Sequence, residues 1–313
     1  MMKTSDELAE AVKLRELSPE EVKFILQKVK ELSLTNDKDL SHWMFLLGFV
    51  KEYQGCEYVS SIEESKRMNE KTVEDLKLLA NYCPELESIK FEMPDDKDLI
   101  CLKLFPKLLR LYIADGTCIT EKGVEHIWYL SQLTHLTLNS YREVYDVFTE
   151  NLCQLDKLTE LDLNGCDYVF NHDLKQMANL IHLSSLNLSA SVHVTDDGIP
   201  YIITMKNLVC LDLGATSVSD HGIRALSALP KLKQLLLSRC NFTDEGLKDF
   251  ASLKNLEFVD LSECENITDK GLLHLKNIDT LKIVDLSYCE NITEQGIEGL
   301  LPQVQVIRRN RKK

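Results

Sequence analysis

One stretch decides the fold: Leu256-Glu-Phe-Val-Asp-Leu-Ser-Glu-Cys-Glu-Asn-Ile-Thr-Asp-Lys-Gly-Leu272. Its opening block, Leu-x-x-Leu-x-Leu, recurs along the chain at intervals of 22 to 25 residues. The copies begin at Leu86, Leu108, Leu133, Leu158, Leu183, Leu208, Leu232, Leu256, Leu281 and, in degenerate form, Val304. A fixed period in this range is typical of a solenoid, in which similar units stack in a row.

Each unit opens with a segment whose side chains alternate as they do in a β-strand. In the stretch above, alternation predicts Leu256, Val259 and Leu261 on the buried side, and Phe258 and Asp260 on the solvent side. Because the segment recurs once per unit, the strands are predicted to lie beside one another in a parallel sheet.

The second half of each unit carries the signals of a short helix. Thr268 is placed to cap the helix, and Asp269 lies in the first turn, where the helix dipole favours negative charge. Similar starts are Thr120-Glu121, Thr195-Asp196, Ser219-Asp220, Thr243-Asp244 and Thr293-Glu294. A glycine follows each cap by three residues, at Gly123, Gly198, Gly222, Gly246, Gly271 and Gly296. This position predicts a close approach between the helix and its neighbour.

The full pattern, L-x-x-L-x-L-x-x-C-x-x-[IV]-[ST]-D-x-G-[LI], resembles the cysteine-containing leucine-rich repeat. That class is typical of leucine-rich repeat proteins with an F-box and of related bacterial repeat proteins, some of them secreted effectors. The resemblance covers residues 85–307 in about nine to ten units. It implies an α/β horseshoe with a parallel inner sheet and outer helices. It also implies non-enzymatic protein–protein recognition through the concave face, as in a bacterial effector acting in a host cell.

Composition narrows the classes of partner. The formal net charge is −14 at pH 7, and phosphate binding needs a basic stripe, so we expect no nucleic-acid partner. The longest apolar run, 43–50, is far shorter than the ~20 residues of a membrane span, so no span is expected. Residues 308–313 hold five basic side chains and are expected to form a solvated, frayed tail; the alternative is a role in targeting or in binding an anionic surface.

The ten cysteines are scattered, and none forms a Cys-x-x-Cys pair. Four of them stand eight residues after the first leucine of their unit, at Cys166, Cys240, Cys264 and Cys289. In a stacked array these predict free, buried, small groups rather than a metal site. The polar, acidic N-terminus lacks the pattern of a secretory signal. We therefore expect reduced thiols and a cytoplasmic protein, or a host-cytoplasmic one if it is a secreted bacterial effector.

The sequence contains no common enzyme motif: no phosphate-binding glycine loop, zinc-protease helix, nucleophile elbow or dinucleotide fingerprint. Aspartates recur at one solvent-side strand position, at Asp162, Asp212, Asp260 and Asp285. Such a row could imitate a catalytic pair or a calcium ladder. However, Leu-Asp-Leu strands are common in the repeat class that the chain resembles. We predict a protein that is not an enzyme and has no cofactor.

The solvent-side positions of the strands predict the surface that binds a protein partner. The last three regular strands are expected to expose Leu236, Phe258 and Ile283 side by side, with Tyr288 just beyond them. Exposed apolar residues in a row favour a contact site. The other candidate residues on this face are Tyr112, Asp212, Asp260 and Asp285. The alternative is that a terminal helix or the chain's own tail covers the patch.

Two units break the helix-start pattern. Tyr145 and Phe170 stand where other units have threonine or serine, and both units lack the glycine. Further side chains of the same two turns are Tyr141, Arg142, Phe148, Tyr168 and His172. Aromatic residues with arginine are common interface anchors, so Tyr145 and Phe170 are candidate partner-binding residues. Alternatively, the rings pack on one another in place of the lost caps.

Residues 1–84 carry no repeat and are predicted to form a helical cap or an F-box-like region. The segment Leu17-Ser-Pro-Glu-Glu-Val-Lys-Phe-Ile25 is similar to the opening of an F-box, with one residue inserted after the leucine. That resemblance implies that Leu17, Pro19, Val22 and Ile25 bind a Skp-type adaptor. The alternative function is then an F-box-like substrate receptor of a cullin-type ubiquitin ligase. The motif's later tryptophan signature is absent, and a capping box at 18–21 explains the same residues without a partner.

Overall fold

A computed structural model describes residues 87–91, 93–142, 146–300 and 302–310. The predicted helical region 1–84 lies outside these residues, and so do the candidate adaptor-binding residues Leu17, Pro19, Val22 and Ile25. The candidate Tyr145 also lies outside them. The chain divides into two compact units, Met1–Leu133 and Thr134–Lys313.

The described part of the first unit holds two parallel strands and the helical segments that follow them. The strands are β1 (Ser88–Phe91) and β2 (Arg110–Ile113). The helical segments are α1 (Asp96–Leu99), the 3-10 helix Ile100–Leu104 and α2 (Glu121–Val124). This is the strand–turn–helix order that the sequence predicts.

The second unit contains eight described strands, which pair in parallel in the order of the chain. They are β3 (His135–Leu138), β4 (Glu160–Asp162), β5 (Ser185–Asn187), β6 (Cys210–Asp212), β7 (Gln234–Leu236), β8 (Phe258–Asp260), β9 (Ile283–Asp285) and β10 (Gln305–Ile307). The predicted parallel sheet is confirmed within this unit.

Helical turns connect successive strands of the second unit. The α-helices are α3 (Asp146–Leu152), α4 (Asn171–Met177), α5 (Ile199–Ile202), α6 (Asp220–Ala225), α7 (Asp269–Leu275) and α8 (Glu294–Glu298). The 3-10 helices are Asp196–Gly198, Leu226–Ala228, Asp244–Leu247 and Phe250–Ser252. All are short, since each connection must return to the next strand within one repeat. The predicted α/β repeat architecture is therefore confirmed.

The core lies between the strands and the helices. Leu256, Val259 and Leu261 are fully buried, whereas Phe258 and Asp260 keep part of their surface in solvent. The predicted alternation of faces is therefore confirmed. Burying an aliphatic side chain of this size contributes about 1.5–3 kcal/mol, so the stacked inward rows supply most of the stabilisation.

The repeated cysteines are buried free thiols, as the sequence predicts. Each also donates a hydrogen bond that the sequence analysis did not include. Its Sγ lies 3.0–3.1 Å from the carbonyl oxygen of the sixth residue in the preceding unit's Leu-x-x-Leu-x-Leu block, which is a leucine in each case. The pairs are Cys166 with Leu138, Cys240 with Leu213, Cys264 with Leu237, and Cys289 with Leu261. Burial raises the pKa of the Cys166 thiol to about 12, so the group stays a neutral donor.

A pair of hydrogen bonds, which we call the inter-repeat latch, links successive helix starts. Asp244 Oδ1 accepts from the backbone N–H of Thr268 at 2.8 Å, and Asp244 Oδ2 accepts from the Thr268 hydroxyl at 2.7 Å. The same latch joins Asp96 to Thr120, Asp196 to Ser219, Asp220 to Thr243 and Asp269 to Thr293. Between Asn171 and Thr195, the asparagine amide donates to the hydroxyl instead.

The latch explains the glycine three residues after the cap. A Cβ at Gly271 would lie against Asp244 Oδ1, well inside van der Waals contact. The preceding unit's latch side chain blocks a Cβ in the same way at Gly123, Gly198, Gly222 and Gly296. The predicted close approach is confirmed, and the neighbour that requires it is the latch carboxylate or amide.

The first residues of the predicted basic tail are not frayed. Arg308 donates to Glu294 Oε1 and to the carbonyl oxygen of Ile292, both at 2.7 Å. Arg309 accepts from the backbone N–H of Tyr288 at 2.8 Å through its own carbonyl oxygen. These contacts continue the pairing of β10 with β9, so the expectation of a frayed end is wrong for these two residues.

Candidate functional site

The solvent-side side chains of the second unit form two registered rows, which we call the strand face. The first row is His135, Glu160, Ser185, Cys210, Gln234, Phe258, Ile283 and Gln305. The second row is Thr137, Asp162, Asn187, Asp212, Leu236, Asp260, Asp285 and Ile307. Neighbouring strands lie about 4.8 Å apart, and the rows are about 6.6 Å apart along each strand. A partner can therefore contact several repeats at once.

The apolar part of the strand face differs in one respect from the prediction. Phe258 and Ile283 are register partners and lie side by side, as expected. Leu236, however, is opposite Asp260 in the second row, so its contact with Phe258 is diagonal. The predicted line of three is wrong, because Leu236 is the fifth residue of its block whereas Phe258 and Ile283 are the third of theirs. Ile307, which the sequence analysis missed, extends the second row beyond Asp285.

The aspartates of the second row shape the turn that follows each strand. In each case Oδ1 accepts a hydrogen bond from the backbone N–H two residues further along the chain, at 2.8–3.0 Å. The accepting aspartates and their donors are Asp162 and Asn164, Asp212 and Gly214, Asp260 and Ser262, and Asp285 and Ser287. Asn187 accepts from Ser189 at 2.9 Å in the same way. An uncharged acceptor therefore makes the same turn bond as a carboxylate. Each carboxylate still brings a second oxygen and a negative charge to the strand face.

Asp212 lies in the least hydrated part of this row. Its pKa is raised to about 6, mainly by burial and to a smaller extent by the charges of Asp260 and Asp162, while the hydrogen bond from Gly214 lowers it. Burial also raises the pKa of Asp162. The row thus concentrates negative charge on a surface with limited access to water.

The turn after each of the strands β3 to β9 contains one residue in the left-handed conformation, and no residue type marks this position in the sequence. These residues have φ between 54° and 70°, and they are Ser140, Gly165, Ala190, Ala215, Arg239, Glu263 and Tyr288. Only one is glycine, the residue that adopts this conformation without strain. Tyr288, a predicted partner-binding residue, is half-buried there and is held by its bond to Arg309.

The basic side chains around the apolar residues are paired with glutamates. Lys233 and Lys282 both contact Glu257, which lowers the pKa of that carboxyl. Arg239 contacts Glu263 at 2.8 Å. Exposed pairs of this kind contribute little to stability. These three basic side chains therefore pair with glutamates rather than with the aspartates of the second row.

The predicted aromatic rim divides into buried and exposed residues. Tyr141 and Phe148 are buried with ring centroids 5.3 Å apart, so these two rings belong to the core. Phe170 is half-buried and stacks on His193 and His172, at 4.6 and 5.6 Å. Ring packing, the alternative interpretation, is therefore the arrangement found for Tyr141, Phe148 and Phe170, whereas Tyr168 is 47% exposed.

Asp173 replaces the missing glycine and cap of the Phe170 unit. Its Oδ2 accepts from the Phe170 backbone N–H at 2.8 Å, and its Oδ1 accepts from the hydroxyl of Thr149 at 2.9 Å. The unit is thus joined to the preceding helix by a different side chain. These two bonds of Asp173 account for the absence of the threonine or serine cap and of the glycine in this unit.

Tyr112 belongs to the first unit, whereas the strand face belongs to the second. It is half-buried on β2, opposite Lys90 of β1. The described residues hold no cluster of histidine, cysteine, aspartate or glutamate that could bind a metal ion. In the part of the chain that the structure describes, no helix has the length and apolarity to cross a membrane.

Comparisons with known proteins agree with this architecture. The family described as "Leucine Rich repeat" matches residues 228–251, 252–275 and 279–301. A search of curated protein sequences finds no match. The resemblance to leucine-rich repeats is therefore confirmed for three consecutive units, and proteins built from this repeat generally serve as scaffolds for protein interaction.

Solved structures give the same result for the fold. An internalin C2 from Listeria monocytogenes matches with 23% identity over 68% of this chain and 83% of its own, at a TM-score of 0.50. An internalin (InlF) from the same organism matches with 16% identity over 75% and 69%, at a TM-score of 0.51. A chain from the Rad7 and Elc1 complex of yeast matches with 14% identity over 98% of both chains, at a TM-score of 0.46. The two internalins support the leucine-rich repeat fold, and the third value is too low to support an argument.

Proposed function

We propose that this protein recognises a protein partner through the strand face of its second unit and that it catalyses no reaction. The observation that carries the proposal is the registered pair Phe258 and Ile283, two apolar side chains held on the solvent side of a rigid sheet. Apolar surface in this position is a preferred contact. The repeat fold supplies the rigid support on which these side chains stand.

A photo-crosslinking experiment tests which face is used. Benzoylphenylalanine is placed at Phe258 in one variant and at Leu273, an exposed residue of α7, in a matched control. We expect a protein to be captured from a cytosolic lysate through position 258, and an excess of the unlabelled protein to compete for it. Capture through position 273 alone would contradict the proposal, since the partner would then bind the helix side.

We infer a cytoplasmic location, which becomes the host cytoplasm if the protein is a secreted bacterial effector. The eight described cysteines support a reducing compartment, because all of them are free thiols. A fluorescent fusion followed in the source cell and in a host cell tests both forms of the proposal.

The alternative function is an F-box-like substrate receptor of a cullin-type ubiquitin ligase. It rests on the sequence of 17–26 alone, with Leu17, Pro19, Val22 and Ile25 as the adaptor-binding residues. Co-purification with a Skp-type adaptor tests it. Under this alternative the adaptor is lost in the double variant Leu17→Ala with Ile25→Ala, whereas capture through position 258 is unchanged. A wild-type protein that does not retain the adaptor would exclude it.

A further inference from the structure

The second row of the strand face places two carboxylates between two aliphatic side chains. In register the order from β7 to β10 is Leu236, Asp260, Asp285 and Ile307. The first row has the complementary order, with two apolar side chains between two amides: Gln234, Phe258, Ile283 and Gln305. The surface is therefore a charged pair beside an apolar pair. We call these eight residues the β7–β10 patch.

The two carboxylates of the patch repel each other. Asp260 and Asp285 are register partners on adjacent strands, which are about 4.8 Å apart, and like charges placed opposite each other are destabilising. Each carboxylate is held in place because its Oδ1 accepts a backbone N–H at 2.8 Å. Neither can turn away from the other without breaking that bond.

No described basic side chain forms an ion pair with either aspartate. The basic residues that flank β7 and β9 in the chain, Lys233, Lys282 and Arg239, instead contact Glu257 and Glu263. Further along the row, the raised pKa of Asp212 reflects burial and the charge of Asp260. The chain thus maintains a fixed, uncompensated charge next to apolar surface. An external cation would relieve the repulsion.

We propose that the β7–β10 patch binds a protein segment that places an arginine over Asp260 and Asp285 and an apolar side chain over Phe258 and Ile283. The proposal rests on the proposed function, and charge complementarity selects the occupant. A guanidinium group presents five donors in a planar fork, so it can bond two neighbouring carboxylates at once, whereas an ammonium group acts as a single point of charge. Arginine is therefore preferred to lysine.

The spacing of the rows defines the partner further. The charged and apolar pairs are about 6.6 Å apart along the strands, which is the distance between residues i and i+2 of an extended chain. A segment of the form Arg-x-Leu lying along the strand direction satisfies both pairs. A wholly acidic or wholly polar segment satisfies neither.

Methyl NMR on the full chain, with synthetic peptides as probes, tests the proposal. The probes are acetyl-Ser-Arg-Ser-Leu-Ser-amide and two matched peptides, one with glutamate for arginine and one with serine for leucine. We expect the first peptide to shift the methyl signals of Leu236, Ile283 and Ile307. The double variant Asp260→Asn with Asp285→Asn should weaken its binding by at least about tenfold, since charge-assisted hydrogen bonds are lost.

The control variant is Asp162→Asn, which removes a charge from the same row four strands away from Asp260. Asn187 shows that asparagine makes the turn bond at this position, so the substitutions remove charge and keep the fold. The control should bind the arginine peptide within about twofold of wild type, a change of less than 0.5 kcal/mol at about 1.4 kcal/mol per tenfold.

Three results would overturn the proposal: equal shifts with the glutamate peptide, unchanged affinity in the double asparagine variant, or no shift with the arginine peptide. The proposed function can fail separately. If a partner crosslinks through position 258 and binds the double asparagine variant normally, the strand face is the site and the arginine inference is wrong. Capture through position 273 alone would contradict the proposed function itself, since the partner would then bind the helix side.

Discussion

Ser191 stands where four other units have the buried, hydrogen-bonded cysteine. It is fully buried, and its hydroxyl has no hydrogen-bond partner. A buried hydroxyl without a partner costs about 1–3 kcal/mol, whereas the less polar thiol is easily buried. We therefore expect Ser191→Cys to raise the free energy of unfolding by about 1 kcal/mol in urea titrations. Thr216→Cys is the control, because Thr216 already donates to Leu213 at 2.6 Å and should gain less.

The raised pKa of Asp212 predicts how the stability of the protein depends on pH. Its pKa is about 6 in the folded chain and 3.8 in the reference state, so the folded protein binds this proton more tightly. The contribution to stability is complete below about pH 4 and is lost as the pH rises through about 6. Asp212→Asn removes this loss and keeps the turn bond.

Urea unfolding at several pH values tests this. Because the side chain is only partly buried, we expect Asp212→Asn to be more stable than wild type by about 1 kcal/mol at pH 8. The difference should shrink as the pH falls and disappear below about pH 3, where the wild-type carboxyl is protonated in both states. A difference that is the same at all pH values would show that the carboxylate charge is not its cause.

Between neighbouring helices, the latch and the glycine depend on each other, because the latch carboxylate occupies the space that a Cβ at the glycine would need. Replacing glycine by alanine normally stabilises a helix by about 1 kcal/mol. At Gly271, however, the new Cβ would meet Asp244 Oδ1. We expect Gly271→Ala alone to destabilise the chain by about 1–3 kcal/mol. In an Asp244→Ala background, the same change should be close to neutral. A double-mutant cycle from chemical unfolding measures the coupling, and additive effects would contradict it.

The latch also shows where sequence reasoning was incomplete. Thr268 was predicted as a cap, and its hydroxyl does accept the N–H of Lys270. The first-turn aspartate was assigned only to the helix dipole, because its main partner lies 24 residues away in the next unit. Helical propensity and capping are local rules, whereas this bond depends on stacking. Co-occurrence of the aspartate with the next unit's glycine was the available signal.

A residue's position in the repeat predicts whether its side chain is buried more reliably than its residue type does. Tyr141 occupies the cysteine position and Phe148 the glycine position of their unit, and both are buried. The prediction of an exposed aromatic rim gave more weight to their aromatic character than to their register. Leu236 was misplaced for the same reason. The left-handed turn residues had no comparable signal, because backbone pairing between units imposes their conformation on residues as different as Arg239 and Glu263.

Over the whole second unit, stability and binding are expected to separate by face. Each repeat contacts only its neighbours, so damage to one inward position weakens the units on both sides. Leu261 is fully buried, and Leu261→Asp would bury an unpaired charge among aliphatic side chains. We expect a loss of more than about 4 kcal/mol, with hydrogen exchange increasing first in the strands beside β8.

Phe258 lies only three residues before Leu261 but points to solvent, so Phe258→Asp should change the unfolding free energy by less than about 1 kcal/mol. It should nevertheless abolish partner capture, because a third carboxylate then stands beside Asp260 and the apolar pair is lost. Hydrogen exchange measures the fold and crosslinking measures partner capture, and both are applied to Leu261→Asp and Phe258→Asp. If Phe258→Asp unfolds the strands as Leu261→Asp does, the residue serves the core. If it folds and still binds the partner, the strand face has no role in recognition. The combination of an intact fold with lost binding is expected only when the sheet supports the chain with one face and binds a partner with the other.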